Sequence, residues 1–404
     1  MKHLWILNHY ALEPVGAGGT RHYSLAKHLR SWSWETSIIA SSVELNTVRQ
    51  RLQHAKSFKL ESYDGVEFLW LKTPAYHGNG FERILNILSY TGRAICPRYT
   101  AMLHAPDVII GSSVHPFAAF AAERLARRKK VPFIFEVRDL WPQTLIDMGL
   151  LRSTNPLAIF MRIFEKWLYE RADRIITLLP YAGNYIEPLG IDPQKISWLP
   201  NGVDLSKFPD PRPSNDRDEF ALMYFGAHGR ANGLENVLNA MNQIKSHLLP
   251  KIVTLRLIGD GPQKPKLISL AKKLDLKNVS FEPPVQKKAI PQLASEADGF
   301  VFNLINAPVF RYGISSNKLF EFMAAGRPII FCCNASNNPV EAAEAGLTVK
   351  PDDPTVLAKA IEELVSLPLE KRYQMGQRAR RYVELNHSFT SLAEKLAGIL
   401  DRLS

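Results

Sequence analysis

Cysteine is scarce in this 404-residue chain, with only Cys96, Cys332 and Cys333 present. Their spacing supplies neither a paired disulfide framework nor a metal-ligand pattern, which excludes a disulfide scaffold and predicts a reducing, cytosolic setting. Cys332 and Cys333 follow the apolar run Ile329–Phe331 and are expected to be buried at a strand end. No run of 18 apolar residues occurs, so no transmembrane helix is expected and any membrane contact is peripheral. The N-terminus, MKHLWILNHY, turns polar too quickly for a signal peptide. Acidic residues are also in deficit, 39 against 50 Lys+Arg.

The resulting formal charge is +11, and the first 200 residues carry 24 Lys+Arg against 17 Asp+Glu, or +7 of it. Such an excess suits an anionic partner: a phosphorylated lipid carrier, an acidic membrane surface or nucleic acid. A well-solvated surface accounts for it equally. A hydrophobic content of 46% with 22% charged residues belongs to a folded globular protein, which excludes intrinsic disorder. The length predicts two domains.

The chain alternates strand, loop and helix. Short apolar runs at Leu4–Leu7, Thr36–Ala40, Val108–Ile110, Phe133–Val137 and Ile175–Leu179 read as buried parallel strands. Amphipathic stretches such as Arg21–Arg30, Phe117–Lys130 and Pro156–Arg171 separate them. After the proline-rich segment FPDPRPSNDRD, Phe208–Asp218, the alternation restarts, so the interdomain linker is expected there. Further strands fall at Leu222–Phe225, Thr254–Ile258, Val279–Phe281, Gly299–Phe302 and Ile329–Phe331, with five helices between Leu234 and Ser366. The pattern predicts an α/β protein of two doubly wound, Rossmann-like domains facing across a central cleft. Domain one covers residues 1–205 with the last helix, about 388–404, packing back on it; domain two covers 206–387.

Ligands of such sheets bind beyond the C-terminal strand ends, and five loops there carry suitable chemistry. In PVGAGGTRHYSLAKHL, Gly16, Gly18 and Gly19 precede a helix opening at about Thr20, and glycine amides with a helix N-terminus suit an anion. Arg21 stands where a dinucleotide fingerprint has its third glycine, and a plain tight turn is the alternative. FIFEVRDLWPQ ends a strand with Glu136, Arg138 and Asp139, which places Arg138 or Asp139 near a reacting group unless the two merely pair at the surface. His115 in GSSVHPF also ends a strand. YFGAHGRANGLENVL offers Gly226, His228, Gly229, Arg230 and Asn232 to a diphosphate, whose leaving phosphate gains negative charge in the transition state. LRLIGDGP, with Gly259, is a close-packed turn. FRYGISSNKLFEFMAAGRPII is the richest segment: Ser315, Ser316 and Asn317 precede a helix, with Ser316 or Asn317 as its cap. Lys318 in the first turn opposes the helix dipole, a misfit that a bound phosphate removes, and Glu321 one turn on can accept from ribose hydroxyls. A surface Lys–Glu pair is the alternative.

Together these segments resemble the GT4 family of retaining, GT-B-fold glycosyltransferases, over nearly the whole chain. LPNGVDLSKF (Leu199–Phe208), LRLIGDGPQKPKL, NVSFEPPV and EFMAAGRPII are similar to family segments in the family's order. The resemblance implies a nucleotide-sugar donor, with Glu321 on the ribose and backbone near Val285 reading the base. Two departures stand out. Gly313 occupies the position of the family's first paired glutamate, so its role passes to amides around Ser315–Asn317. GAHGRANG replaces the loop that presents Arg and Lys to the diphosphate, for which Arg230 and Lys318 are the expected substitutes. FEVRDLWP, GAHGRANGL and SSNKLFEFMAAGRPII narrow the resemblance to WbuB-type transferases of bacterial O-antigen and capsule assembly, implying a UDP-linked acetamido hexosamine or deoxyhexosamine.

The implied reaction retains configuration, needs neither a protein nucleophile nor a metal, and uses no cofactor beyond the UDP-sugar. The acceptor, an undecaprenyl-diphosphate-linked or other glycan, is expected past Gly18, Gly19 and Arg138. The implied location is the cytoplasmic face of a bacterial plasma membrane. Arg124, Arg127, Arg128, Lys129 and Lys130, with Trp32 and Trp34, are the residues expected at an anionic membrane. A GT-B-fold nucleotide-sugar 2-epimerase and a nucleic-acid-binding α/β protein are the rivals; the second is disfavoured because aromatic–basic interleaving is absent.

Overall fold

Near-continuous apolar runs such as Phe133–Val137 become parallel strands because helices cover both faces of the sheet. In the computed structural model, residues 1–14, 20–45, 49–52, 56–78, 80–113, 115–213 and 217–403 are described. They divide into two units: Met1–Asn201 with Tyr312–Ser315 and Phe389–Ser404, and Gly202–Arg311 with Ser316–Ser388. No helix among them is long and apolar enough to cross a membrane.

The first unit comprises β1 (Lys2–Leu7), α1 (Arg21–Leu29), β2 (Trp34–Ser41), β3 (Phe58–Tyr63), β4 (Val66–Leu71), α2 (Phe81–Ile95), α3 (Pro97–Thr100), β5 (Val108–Ser112), α4 (Pro116–Lys129), β6 (Phe133–Val137), α5 (Gln143–Asp147), α6 (Pro156–Arg171), β7 (Arg174–Thr177), α7 (Gly183–Ile186) and β8 (Ile196–Trp198). Its sheet order is β3-β4-β2-β1-β5-β6-β7-β8, parallel except for the β3–β4 pair. The turn of that hairpin is Asp64-Gly65, both at positive φ (49° and 80°), a backbone twist that matches the strands it joins. Trp34 is fully buried in β2, so it takes no part in any surface contact.

The second unit holds β9 (Glu219–Phe225), α8 (Leu234–Gln243), β10 (Ile252–Ile258), α9 (Lys264–Lys273), β11 (Val279–Glu282), α10 (Ile290–Ser295), β12 (Gly299–Asn303), α11 (Asn317–Ala324), β13 (Ile329–Cys332), α12 (Pro339–Ala342), β14 (Gly346–Val349), α13 (Pro354–Ser366) and α14 (Leu369–Asn386). Its sheet runs β11-β10-β9-β12-β13-β14, all parallel. Phe322 of α11 stacks on Phe300 at 4.4 Å and meets Phe225 edge-on at 4.7 Å, which fixes α11 on the sheet.

The chain then returns to the first unit as α15 (Phe389–Asp401), whose Leu392, Leu396 and Leu400 join the core that also holds Leu25 and Leu29 of α1. The proline-rich stretch from Phe208 is part of the second unit. The Pro211 carbonyl accepts from Tyr373 Oη at 3.3 Å, the Arg212 carbonyl accepts from Arg327, and Gly326 leaves no room for a Cβ beside the Pro211 ring. The chain changes units at Asn201–Gly202, a few residues before the prolines that mark the break in sequence.

Candidate active site

In the second unit the loops after β9 and β10 cross backbone to backbone. A Cβ on Gly259 would lie 2.0 Å from the Gly226 carbonyl oxygen, and one on Gly261 would lie 2.6 Å from that of His228. Both glycines also hold positive φ, so no other residue fits. Gly226 N–H donates to Ile258 and His228 N–H to the Asp260 carbonyl, at 3.0 and 2.8 Å. This clamp presses the His228 ring inside: it is fully buried, and neither ring nitrogen has a hydrogen-bond partner. Burial, then the nearby Lys264 ammonium, lowers its pKa to about 4. At neutral pH the ring is therefore uncharged, with one N–H to donate and one nitrogen to accept.

Lys318 meets the same loop from α11. Its Nζ donates to Tyr224 Oη at 2.9 Å and to the Asn232 side-chain oxygen, and lies 4.7 Å from the centre of the Tyr224 ring. No carboxylate neutralises it among the described residues. Burial lowers its pKa to about 7. A desolvated cation in the first turn of a helix is costly on both counts, and an anion supplied from outside would relieve both. One turn on, the Glu321 side chain is 12% exposed and its closest cation is Lys287 Nζ at 3.8 Å. Burial raises its pKa, with Lys287 and Lys207 opposing. Val285 lies exposed just beyond β11.

Ser316 occupies the N-cap of α11, the position expected of it or of Asn317, though it makes no side-chain cap bond. Several other expected residues sit elsewhere. Ser315 belongs to the first unit, where its Oγ and carbonyl accept from the Asn201 backbone and side-chain amides at 2.8 and 2.6 Å. Gly313, also in that unit, holds φ +92°. Arg230 is exposed on a short turn and, with Gly229, lines a cleft of about 670 Å³ that includes Lys266 and Asp352 but neither Lys318 nor Glu321. Asn232, expected at a diphosphate, accepts from Lys318 through its side-chain oxygen. Gly16, Gly18 and Gly19 lie outside the described residues.

The first unit's strand ends carry a buried ionic cluster. Glu136, last but one in β6, accepts from Arg21 Nε at 3.1 Å, His22 Nε2 at 2.6 Å and Ser112 Oγ at 2.7 Å. Arg21 also donates to the carbonyls of Leu199 and Pro200, just before the chain leaves the unit. Burial pushes the Glu136 carboxyl up, but His22 and Arg21 together hold it well below the usual range. Beside it, His9 and His115 share a 2.8 Å hydrogen bond, and Asn86 Oδ1 is 2.7 Å from the other His9 nitrogen. His115 Nδ1 is buried without a partner. Arg138 is half-buried with its N–H on Ser113 Oγ at 3.1 Å, and Asp139 is exposed. Sequence reasoning saw Arg21 and Glu136 but not that they pair, 115 residues apart; Tyr224 was missed, its only signal being a phenol at the end of an apolar strand. Among the described residues no group of three His, Cys, Asp or Glu side chains converges.

Comparison with known proteins decides the family. A model of glycosyl transferase 4-like domains matches residues 16–202, and a model of glycosyl transferases group 1 matches residues 219–366. The chain is a glycosyltransferase. It is 23% identical to the probable glycosyltransferase WbjE of Pseudomonas aeruginosa over 282 residues, covering 66% of this chain and 67% of that one. It is 20% identical over 351 residues to WcaI of Escherichia coli, named for a glycosyl transferase of colanic acid biosynthesis, covering 82% and 83%. In structure the glycosyltransferase superimposes on sucrose-phosphate synthase from Thermosynechococcus elongatus with a TM-score of 0.77 at 17% identity, over 100% and 99% of the two chains. Anabaena HepE in complex with UDP-glucose gives 0.67 at 14% identity, over 100% of both. The two parallel-sheet units of this glycosyltransferase are the GT-B fold that the sequence predicts.

Proposed function

We propose that this glycosyltransferase moves a sugar, an N-acetylated hexosamine or deoxyhexosamine, from a UDP donor to a lipid-linked or polysaccharide acceptor in bacterial surface-glycan assembly. The observation that carries the reading is a trio in the second unit: a cation with no counter-ion among the described residues (Lys318), a buried imidazole whose ring nitrogens have no hydrogen-bond partner (His228) and, one helical turn from Lys318, a carboxylate whose closest cation is Lys287 at 3.8 Å (Glu321). A nucleoside diphosphate offers a partner to all three. Its phosphates accept from Lys318 and from the first-turn amides of α11, its ribose hydroxyls donate to Glu321, and the ring N–H of His228 donates to a phosphate oxygen. The complex of HepE with UDP-glucose and the glycan pathway in WcaI's name support the donor and the setting.

In this reading leaving-group charge is offset by Lys318 and not by a metal, and the departing phosphate oxygen takes the acceptor proton, so configuration is retained. Arg138 and His115 serve the acceptor from the first unit, at the cytoplasmic face of the plasma membrane. The test is UDP release from a panel of UDP-sugars, with and without a lipid-linked acceptor and with and without EDTA, and NMR of the product's anomeric centre. Acceptor-dependent, EDTA-insensitive release with retained configuration is expected. Release without acceptor would favour the epimerase, and inversion would overturn the mechanism.

A further inference from the structure

A chain of buried side chains in the first unit runs from a proline carbonyl to a ring nitrogen of His115. Asn86, fully buried on α2, donates from Nδ2 to the Pro74 carbonyl at 2.6 Å and to Thr73 Oγ1 at 2.9 Å. A proline carbonyl only accepts, so Nδ2 has to face it and Oδ1 has to point the other way, 2.7 Å from His9 Nε2. His9 Nε2 therefore carries the proton. His9 Nδ1 in turn lies 2.8 Å from His115 Nε2.

Charge decides the rest. Burial, then the neighbouring His115, lowers the pKa of His9 well below 6.5. Burial, then the Arg83 guanidinium, lowers that of His115 to about 3. Both rings are neutral at pH 7, each with one donor and one acceptor nitrogen. Because His9 donates from Nε2, its Nδ1 accepts, and His115 has to donate from Nε2. His115 Nδ1 is left as a lone pair, buried and with no hydrogen-bond partner among the described residues. Turning the His9 ring over would break both of its bonds, and the ring is fully buried 4.2 Å from the centre of the Tyr10 ring and 4.4 Å from that of Tyr90. Tyr90 is itself tied to the Ile39 carbonyl at 2.7 Å.

His115 is the N-cap of α4 and follows β5, at the C-terminal end of the sheet, where ligands of such folds bind. A side chain at an N-cap ordinarily accepts from first-turn amides, yet His115 makes no such bond. A buried lone pair left unmet costs free energy that a hydrogen-bond donor from outside restores. An ionised phosphate or carboxylate has no hydrogen to give. A sugar hydroxyl has one.

We propose that Asn86 and His9 are positioning residues that lock His115 in one tautomer, so that its Nδ1 takes a hydroxyl of the acceptor sugar and rejects a group that can only accept. The hydroxyl's identity rests on the transferase reading; the lock does not. No proton is transferred here, because a ring so weakly basic holds a hydroxyl without abstracting its proton. The hydroxyl it holds is a neighbour of the reacting one, whose proton goes to the departing phosphate oxygen.

The test is nitrogen-15 NMR of the full chain labelled in histidine, with the His115 signals assigned by their loss in His115→Asn. Wild type should show the Nε2–H tautomer for both His9 and His115 between pH 6 and 8. His9→Leu should release His115 into a mixture with the Nδ1–H form. His9→Gln should restore the lock, since its amide can donate to Asn86 and its carbonyl can accept from His115. Asn86→Ala replaces His9→Leu if thermal melting shows that the latter is unfolded. In acceptor-dependent UDP release, with a panel of lipid-linked glycans as the probe, His9→Leu should lower kcat/KM for acceptor about tenfold at unchanged UDP affinity, and His9→Gln should recover most of it. A proton on His115 Nδ1 in wild type would overturn the lock. A lock lost in His9→Leu with acceptor kinetics unchanged would overturn the role in acceptor binding. Absence of acceptor-dependent release by wild type would take the acceptor hydroxyl down with the transferase reading, and the spectrum would still decide the lock.

Discussion

The two units treat charge at their strand ends in opposite ways. In the first, Glu136 is surrounded by Arg21, His22 and Ser112, and each donor is used. In the second, Lys318 leans on a phenol and an amide, and neither ring nitrogen of His228 has a hydrogen-bond partner. A closed network of this kind holds backbone segments together, here the start of α1, the end of β6 and the peptide before Asn201. An open set is destabilising until something completes it. The comparison separates side chains that build the fold from those that wait for a ligand, although both are buried charges in like positions.

Substitution should therefore have opposite consequences in the two places. The largest effect is expected for Glu136→Ala, which strands Arg21 and His22: about 3–5 kcal/mol of stability lost in urea denaturation. Lys318→Met should leave the free protein as stable or more so, yet reduce UDP affinity about a hundredfold by calorimetry. A destabilised Lys318→Met with intact UDP binding would reverse the assignment. Glu321→Ala should weaken UDP by about 1.5–3 kcal/mol and inorganic diphosphate hardly at all, because it is placed for ribose and not for phosphate.

Proton linkage sharpens the contrast further. Lys318 loses its proton near pH 7 in the free folded chain, against 10.5 ordinarily. A bound diphosphate restores the proton, so UDP affinity should fall as pH rises above 7, by at most about tenfold per unit, and Lys318→Met should lack that slope. In the first unit, burial lowers the pKa of His115 to about 3 and that of His9 well below 6.5. Below pH 6.5 the unfolded chain binds protons that the folded one does not, so stability should decline as pH drops from there towards 3. Thermal melts across that range check it.

Much of this was legible in the sequence. The parallel strands announce themselves as apolar runs, and α6 was placed to the residue because Asn155 and Pro156 mark its start and Arg171 its end. The β3–β4 hairpin was not read, although Asp64-Gly65 is a strong turn signal, because β3 is mostly exposed and carries no apolar run. Helix α2 was missed although Phe81, Ile84, Leu85 and Leu88 stand at helical spacing, a signal the sequence carries whichever way the stripe faces. In the site, Lys318 stood out by its quarrel with the helix dipole, a local property. Ser315 misled because its neighbour Ser316 starts the helix while Ser315 itself holds Asn201, a contact between residues 114 apart. The Arg21–Glu136 pair escaped for the same reason.

The most direct test of the central claim is a calorimetric titration of UDP into wild type, Lys318→Met and Glu136→Gln. The account predicts that wild type and any folded Glu136→Gln bind UDP alike, while folded Lys318→Met loses about two orders of magnitude in affinity. Undiminished binding by Lys318→Met, or no binding by wild type, would contradict it.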